Sequence, residues 1–182
     1  MDWEKIDKIQ YEFTEAYHKV SQMWREEILF TWRWWLAVAL SVIPWVWWWF
    51  FFRKKNSTGR LLYAGYFVIA ISLTADTIGD QMGLWEYRVE VTPYLPAMVP
   101  WDLTLMPVVI MSLIQIKPHI KPVYKAIFFS VATAFVGEEL AIRLGLYKML
   151  DWHHTYSILP YFVIYLIANK LANTKTIEPV TE

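Results

Sequence analysis

Residues 28–52 read ILFTWRWWLAVALSVIPWVWWWFFF. The one charge in this run is Arg33, near its start. Trp32, Trp34 and Trp35 stand at that end, and Trp45, Trp47, Trp48 and Trp49 at the other. Two indole clusters separated by an apolar stretch are the pattern of a helix crossing a bilayer, because Trp settles at both membrane–water interfaces. At about 1.5 Å per residue the run covers a hydrocarbon core of about 30 Å. Arg33 lies close enough to an interface to snorkel.

Outward from this segment, four more apolar stretches follow, at about 61–85, 101–116, 123–147 and 157–169. The third and fifth spans are short, which suits tilt or an edge position. Between them, Val89–Pro100 holds Pro93, Pro96 and Pro100 and cannot be regular helix. Upstream, residues 2–27 read as one long amphipathic helix. Trp3, Ile6, Gln10, Phe13, Tyr17, Val20 and Trp24 share a face, with Asp7, Glu12, Glu15 and Lys19 on others. Nothing before Pro44 breaks the pattern, so this helix is expected to run on into the first span. It suits a membrane interface, and its spacing also suits pairing with a second copy through residues 2–24.

The expected fold class is therefore an all-α integral membrane protein. A bundle of about five transmembrane helices (residues 28–182) follows an extracytoplasmic or interfacial helix (residues 1–27). Composition agrees: of 182 residues, 57% are hydrophobic, more than a soluble monomer of this size readily buries. Lys+Arg and Asp+Glu balance at 17 each, so charge gives no reason to expect nucleic acid. Membrane lipids are the expected partners. The absence of Cys excludes disulfides and thiolate metal sites. The start is acidic and polar, and the first apolar run is full length, which fits a retained helix better than a cleaved signal.

Orientation follows from the loops. Arg53, Lys54, Lys55 and Arg60 share a side with Lys117, Lys121, Lys125, Lys170 and Lys175. The other side is acidic or mixed. The positive-inside rule places the protein in the plasma membrane with the N-terminus outside and the C-terminus in the cytoplasm.

Ionisable residues within spans are expensive, so each is a candidate site. Asp76 and Asp80 lie four apart on the second span and share a face. Asp102 opens the third. Glu138 and Glu139 lie on the fourth, with Arg143 placed for an ion pair with Glu139. By depth, these groups and the loop residues His153 and His154 collect at one membrane level, near the outer face. The set suggests an acidic pocket. His153 and His154 are also the weak candidates for a metal, although adjacent side chains point apart. No nucleophile–base motif, phosphate loop or zinc helix motif is present, and no cofactor is implied.

A short repeat accompanies the acids. Asp76 precedes Gly83-Leu84-Trp85 by seven residues, as Glu138 precedes Gly145-Leu146-Tyr147. Each copy would be a helix with an acid near its end, then Gly-Leu-aromatic, then a return helix, as in duplicated membrane folds.

Gly83-Leu84-Trp85-Glu86-Tyr87, Pro100-Trp101-Asp102-Leu103-Thr104-Leu105-Met106-Pro107, Gly145-Leu146-Tyr147 and Asp151-Trp152-His153-His154 together resemble an uncharacterised family of small multi-pass membrane proteins of spore-forming Gram-positive bacteria. The resemblance covers about residues 60–170 and implies location rather than activity. More distantly, the chain is similar to the small lycopene cyclase domains, which protonate an isoprenoid double bond within the membrane. Asp76 or Asp80, Gly83, Trp85 and Tyr87 match the first part of their pattern. Their Pro-x-Glu-Glu signature is here Pro100-Trp101-Asp102-Leu103, with one acid, and Glu138-Glu139 lacks the preceding proline.

Three functions remain open at this point. The first is a multi-pass protein whose outward acidic pocket, including Trp85 and Tyr87, binds a lipid, an isoprenoid or a cation. The second is a membrane enzyme in which one carboxylic acid donates a proton and aromatic faces stabilise a carbocation. The third is an assembly protein acting through its N-terminal helix.

Overall fold

A computed structural model describes residues 1–95 and 97–174. Pro96 and Lys175 lie outside the described residues. The chain is mainly helical. Helix α1 (Trp3–Met23) continues as a wide π turn, Trp24–Ile28; α2 (Trp32–Trp47) ends in another, Trp48–Phe52. Helix α3 is Thr58–Gln81, and β1 is Trp85–Tyr87. A π-helical stretch, Pro100–Leu105, leads into α4 (Met106–Gln115). Helix α5 (Pro122–Ala132) passes through a π turn, Thr133–Gly137, into α6 (Glu138–Arg143). Strand β2 (Tyr147–Met149) and α7 (His154–Ala172) complete the order.

Each of the five apolar stretches thus contains a helix. Among the described residues, two are long and apolar enough to cross a membrane by length and composition, Trp32–Phe52 and Lys55–Gln81; Pro100–Gln115 is apolar but shorter. One expectation changes. Helix α1 does not run straight into α2, because the chain turns at Phe30, whose φ is 62°. Thr31 then caps α2 by accepting from the Trp34 amide.

The helices alternate in direction, so the bundle has two distinct ends. At one end the Lys54 amide donates to Gln115 Oε1, and Gln115 Nε2 donates to the Phe52 carbonyl at 2.9 Å. Lys125 Nζ donates to the Leu113 and Ile116 carbonyls at 2.8 and 2.6 Å, satisfying the open end of α4 and its dipole. This basic end gathers Arg53, Lys54, Lys55, Lys117, Lys121 and Lys125. At the opposite end, Trp24 and Trp34 donate to the Glu90 and Val91 carbonyls at 2.8 and 3.1 Å, and Arg33 Nε to Leu144 at 2.9 Å.

That second end is closed by the two strands. Helices α3 and α6 finish alike, with a glycine of positive φ: Gly83 at 70° and Gly145 at 72°. In both, the glycine amide bonds back three residues and the next amide five, Leu84 to Gly79 and Leu146 to Ala141, which is the Schellman closure. The chain leaves each helix as a strand, and the strands pair antiparallel: Trp85 with Met149, Glu86 with Lys148, Tyr87 with Tyr147. Shifting each position by the repeat offset maps this pairing onto itself, so a local two-fold axis passes through the Glu86–Lys148 pair. Lys148 Nζ lies 3.2 Å from Glu86 Oε1 across the strands.

The core lies between α3, α4, α5 and α7. Ala64, Val68, Ile110, Met111, Ala126, Phe129, Tyr165 and Ala168 are fully or almost fully buried there. Elsewhere large apolar side chains face outward along the helices: Val42, Ile43, Trp47, Phe50 and Phe51 from α2 and its π turn; Tyr66 and Ile71 from α3; Ile127, Phe128 and Val131 from α5; Leu159 and Val163 from α7.

Candidate functional site

Beneath the strand pair lies an apolar cavity of about 440 Å³. Its walls come from α3, the Met98–Met106 segment, the Thr133–Ala141 turn of α5/α6, and α7. The size falls within the range of small-molecule pockets, whose walls are mostly apolar with a few placed polar groups. Trp85, Trp101, Tyr147, Trp152 and Tyr161 give it an aromatic lining. The two acids on its wall are Asp76 and Glu138, the repeat-equivalent pair.

Their surroundings differ. Asp76 Oδ2 accepts from the Tyr87 hydroxyl at 2.5 Å and lies 3.5 Å from the Met98 amide. Burial, and then the Asp76 charge, hold the Tyr87 hydroxyl well above its usual range, so it remains a donor. Behind Asp76, in electrostatic contact with it, is Asp102, fully buried. Ser72 donates to Asp102 Oδ1, while Asp102 Oδ2 has no partner within the chain. No cation is bonded to any of these groups among the described residues. Glu138 instead meets an imidazole. His154 Nδ1 is 2.9 Å from Glu138 Oε2, and Ser157 and Tyr161 also reach this carboxyl.

The other sequence candidates divide. Trp85 and Tyr87 are on the cavity wall. Trp85 is seated by Gly79, where a Cβ would come within 2.1 Å of the indole. Its Nε1 is buried without a partner within the chain, a free donor on the wall. Glu139 and Arg143 form the expected intrahelical pair, at 2.6 Å, on the exposed face of α6. Asp80, one turn beyond Asp76, turns away from the cavity into a groove beneath α1 shared with Tyr17, Arg25 and Glu90. Burial, and then the Asp80 charge, raise the Glu90 carboxyl to about 7. His153 packs on the Tyr156 ring while His154 faces Glu138, so the two histidines point apart. Among the described residues no three His, Cys, Asp or Glu side chains gather as a metal site.

Sequence reasoning missed Ser72, Trp101, Tyr147, Trp152, Ser157 and Tyr161. One signal was available: His154, Ser157 and Tyr161 recur at helical spacing, a polar stripe on one face of α7. No family model, no curated protein and no solved structure matches this chain.

Proposed function

We propose that this chain is a multi-pass membrane protein whose strand-end cavity binds an apolar ligand carrying one small polar group, such as an isoprenoid or lipid. The observation that carries the reading is the cavity itself, apolar and aromatic, with two carboxyls from equivalent positions and a free indole N–H. A mostly apolar wall with separated acids suits a lipidic molecule better than a cation.

The membrane part is supported by where apolar side chains face. Along Trp32–Phe52 only Ala37 and Trp48 are buried, which supports a helix faced by lipid rather than by protein. The outward apolar faces of α2, α3, α5 and α7 support the same reading, because soluble monomers rarely leave large contiguous apolar patches uncovered. Lipid would cover that belt, with all five helices crossing and the short Pro100–Gln115 tilted or bordering a thinner region. The basic end then belongs in the cytoplasm and the strand end outside.

The test is native mass spectrometry of protein extracted in mild detergent. Wild type is expected to retain a lipid or isoprenoid mass that Asp76→Asn loses. Equal retention, or none in either, contradicts the pocket reading.

A second reading is favoured by the unequal settings of the two acids. Different environments for two carboxyls on one cavity are the mark of an acid and a base. Asp76, entering the step as the carboxylic acid rather than the carboxylate, would hand its proton to a carbon–carbon double bond. The aromatic walls would stabilise the cation, and Glu138 would take a proton from a neighbouring carbon. The substrate is isomerised or cyclised with no net redox change.

A further inference from the structure

We infer that His154 is a proton relay joining the strand-end surface to Glu138 in the cavity. The imidazole stands between two carboxylates, one on each nitrogen. Nδ1 is 2.9 Å from Oε2 of Glu138, and Nε2 is 3.7 Å from Oε2 of Glu139. Glu139 is on the exposed face of α6, where its other oxygen is held by Arg143 Nε at 2.6 Å. Glu138 is one-tenth exposed and lines the cavity. The chain Glu139–His154–Glu138 therefore starts in solvent and ends at the enclosed acid.

Each part has a reason for its place. Glu138 and Glu139 are consecutive on α6, so one faces inward and the other outward. His154 opens α7, which brings its ring to the level of both. Phe135 packs on the ring at 6.0 Å and limits its motion on the third side. A small rotation of the Glu139 carboxyl would bring Oε2 within hydrogen-bond distance of Nε2.

The step moves protons only. A proton delivered from Glu139 or water adds to Nε2. The proton on Nδ1 leaves to Oε2 of Glu138. The neutral ring now carries its proton on Nε2; when Glu138 later returns a proton to Nδ1 and Nε2 releases its own to Glu139 or water, the starting tautomer is restored without turning the ring. No other element of the site gives Glu138 such a neighbour. The titratable groups around it are Tyr161 on α7, Tyr147 on β2 and, across the cavity, Asp76 on α3. None of these joins it to the exposed face of α6; His154 does, with Nδ1 toward Glu138 and Nε2 toward Glu139.

The relay rests on the cavity being the working site, but its test needs no ligand. Protein in lipid nanodiscs is given a light-triggered pH jump while the infrared band of a protonated carboxylic acid is followed. Glu138→Gln identifies the band. The band is expected to rise at least tenfold more slowly in His154→Gln, and added imidazole is expected to restore the rate in His154→Ala. An unchanged rate in His154→Gln overturns the relay. So does a wild type in which no Glu138 band responds to pH. Loss of ligand binding with an intact relay signal would fault the ligand reading alone.

Discussion

At Gly79 a single hydrogen decides where a wall of the cavity stands. The Trp85 indole lies against the backbone of α3, and any Cβ at that position would strike the ring. Gly79→Ala is expected to lower stability by about 1–3 kcal/mol, the usual range for overpacking. It should also shift Trp85 into the cavity, seen as loss of retained ligand. Gly59→Ala, with nothing within 4 Å, should be neutral or stabilising by up to about 1 kcal/mol. Equal effects from both would mean that Trp85 is not seated on Gly79. If Asp76 donates a proton to the ligand, turnover in deuterated water should place deuterium on ligand carbon, and Asp76→Asn should abolish the label. Residue-scale legibility was uneven. Asp76 and Glu138 were found because depth along a helix is set by counting residues. Asp80 was not separable from Asp76, since four residues along a helix keep the face but change the level, and here the level carries it past the cavity. The partners of Glu138 come from α7, far along the chain, where only the His154, Ser157, Tyr161 spacing hinted at them.

Among the elements, the repeat was legible as three matched positions. Its meaning was not, because strand pairing is a long-range fact. The two Schellman turns and the self-mapping register show why the Gly-Leu-aromatic signature matters: each glycine ends a helix and aims its strand at the other copy. Helix α1 is the opposite case. Its amphipathic face was plain, yet it touches the body chiefly from Ser21 onward, through Trp24 and the Glu90 segment. Glu90 makes this seat sensitive to pH. Its folded value is about 7, above the unfolded value of about 4.3. The stabilisation is therefore complete below about pH 4.3 and is lost as pH rises through about 7. The melting temperature should fall over that interval, and Glu90→Gln should flatten the fall. A melting temperature that rises from pH 5 to 8 and is unchanged by Glu90→Gln would refute the assignment. Deleting residues 2–20 should leave the melting of the helical body nearly unchanged.

For the whole molecule, alternation of helix direction separates a basic end, with Arg53, Lys54, Lys55, Lys117, Lys121 and Lys125, from a strand end where Arg88 and Lys148 meet Glu86 and Arg143 meets Glu139. This separation was readable from loop composition, because each loop carries its own charges and needs no long-range contact to be read. The cavity was not, since it needs walls from four separate elements. The central claim is that five helices cross the membrane with the strand end outside. The natural lack of Cys makes single-cysteine labelling in intact cells clean. Tyr94→Cys and Asp151→Cys should react with a membrane-impermeant maleimide, and Asn56→Cys and His119→Cys only after permeabilisation. Labelling of Asn56→Cys or His119→Cys from outside, or equal labelling of all four in a soluble fraction, would contradict it.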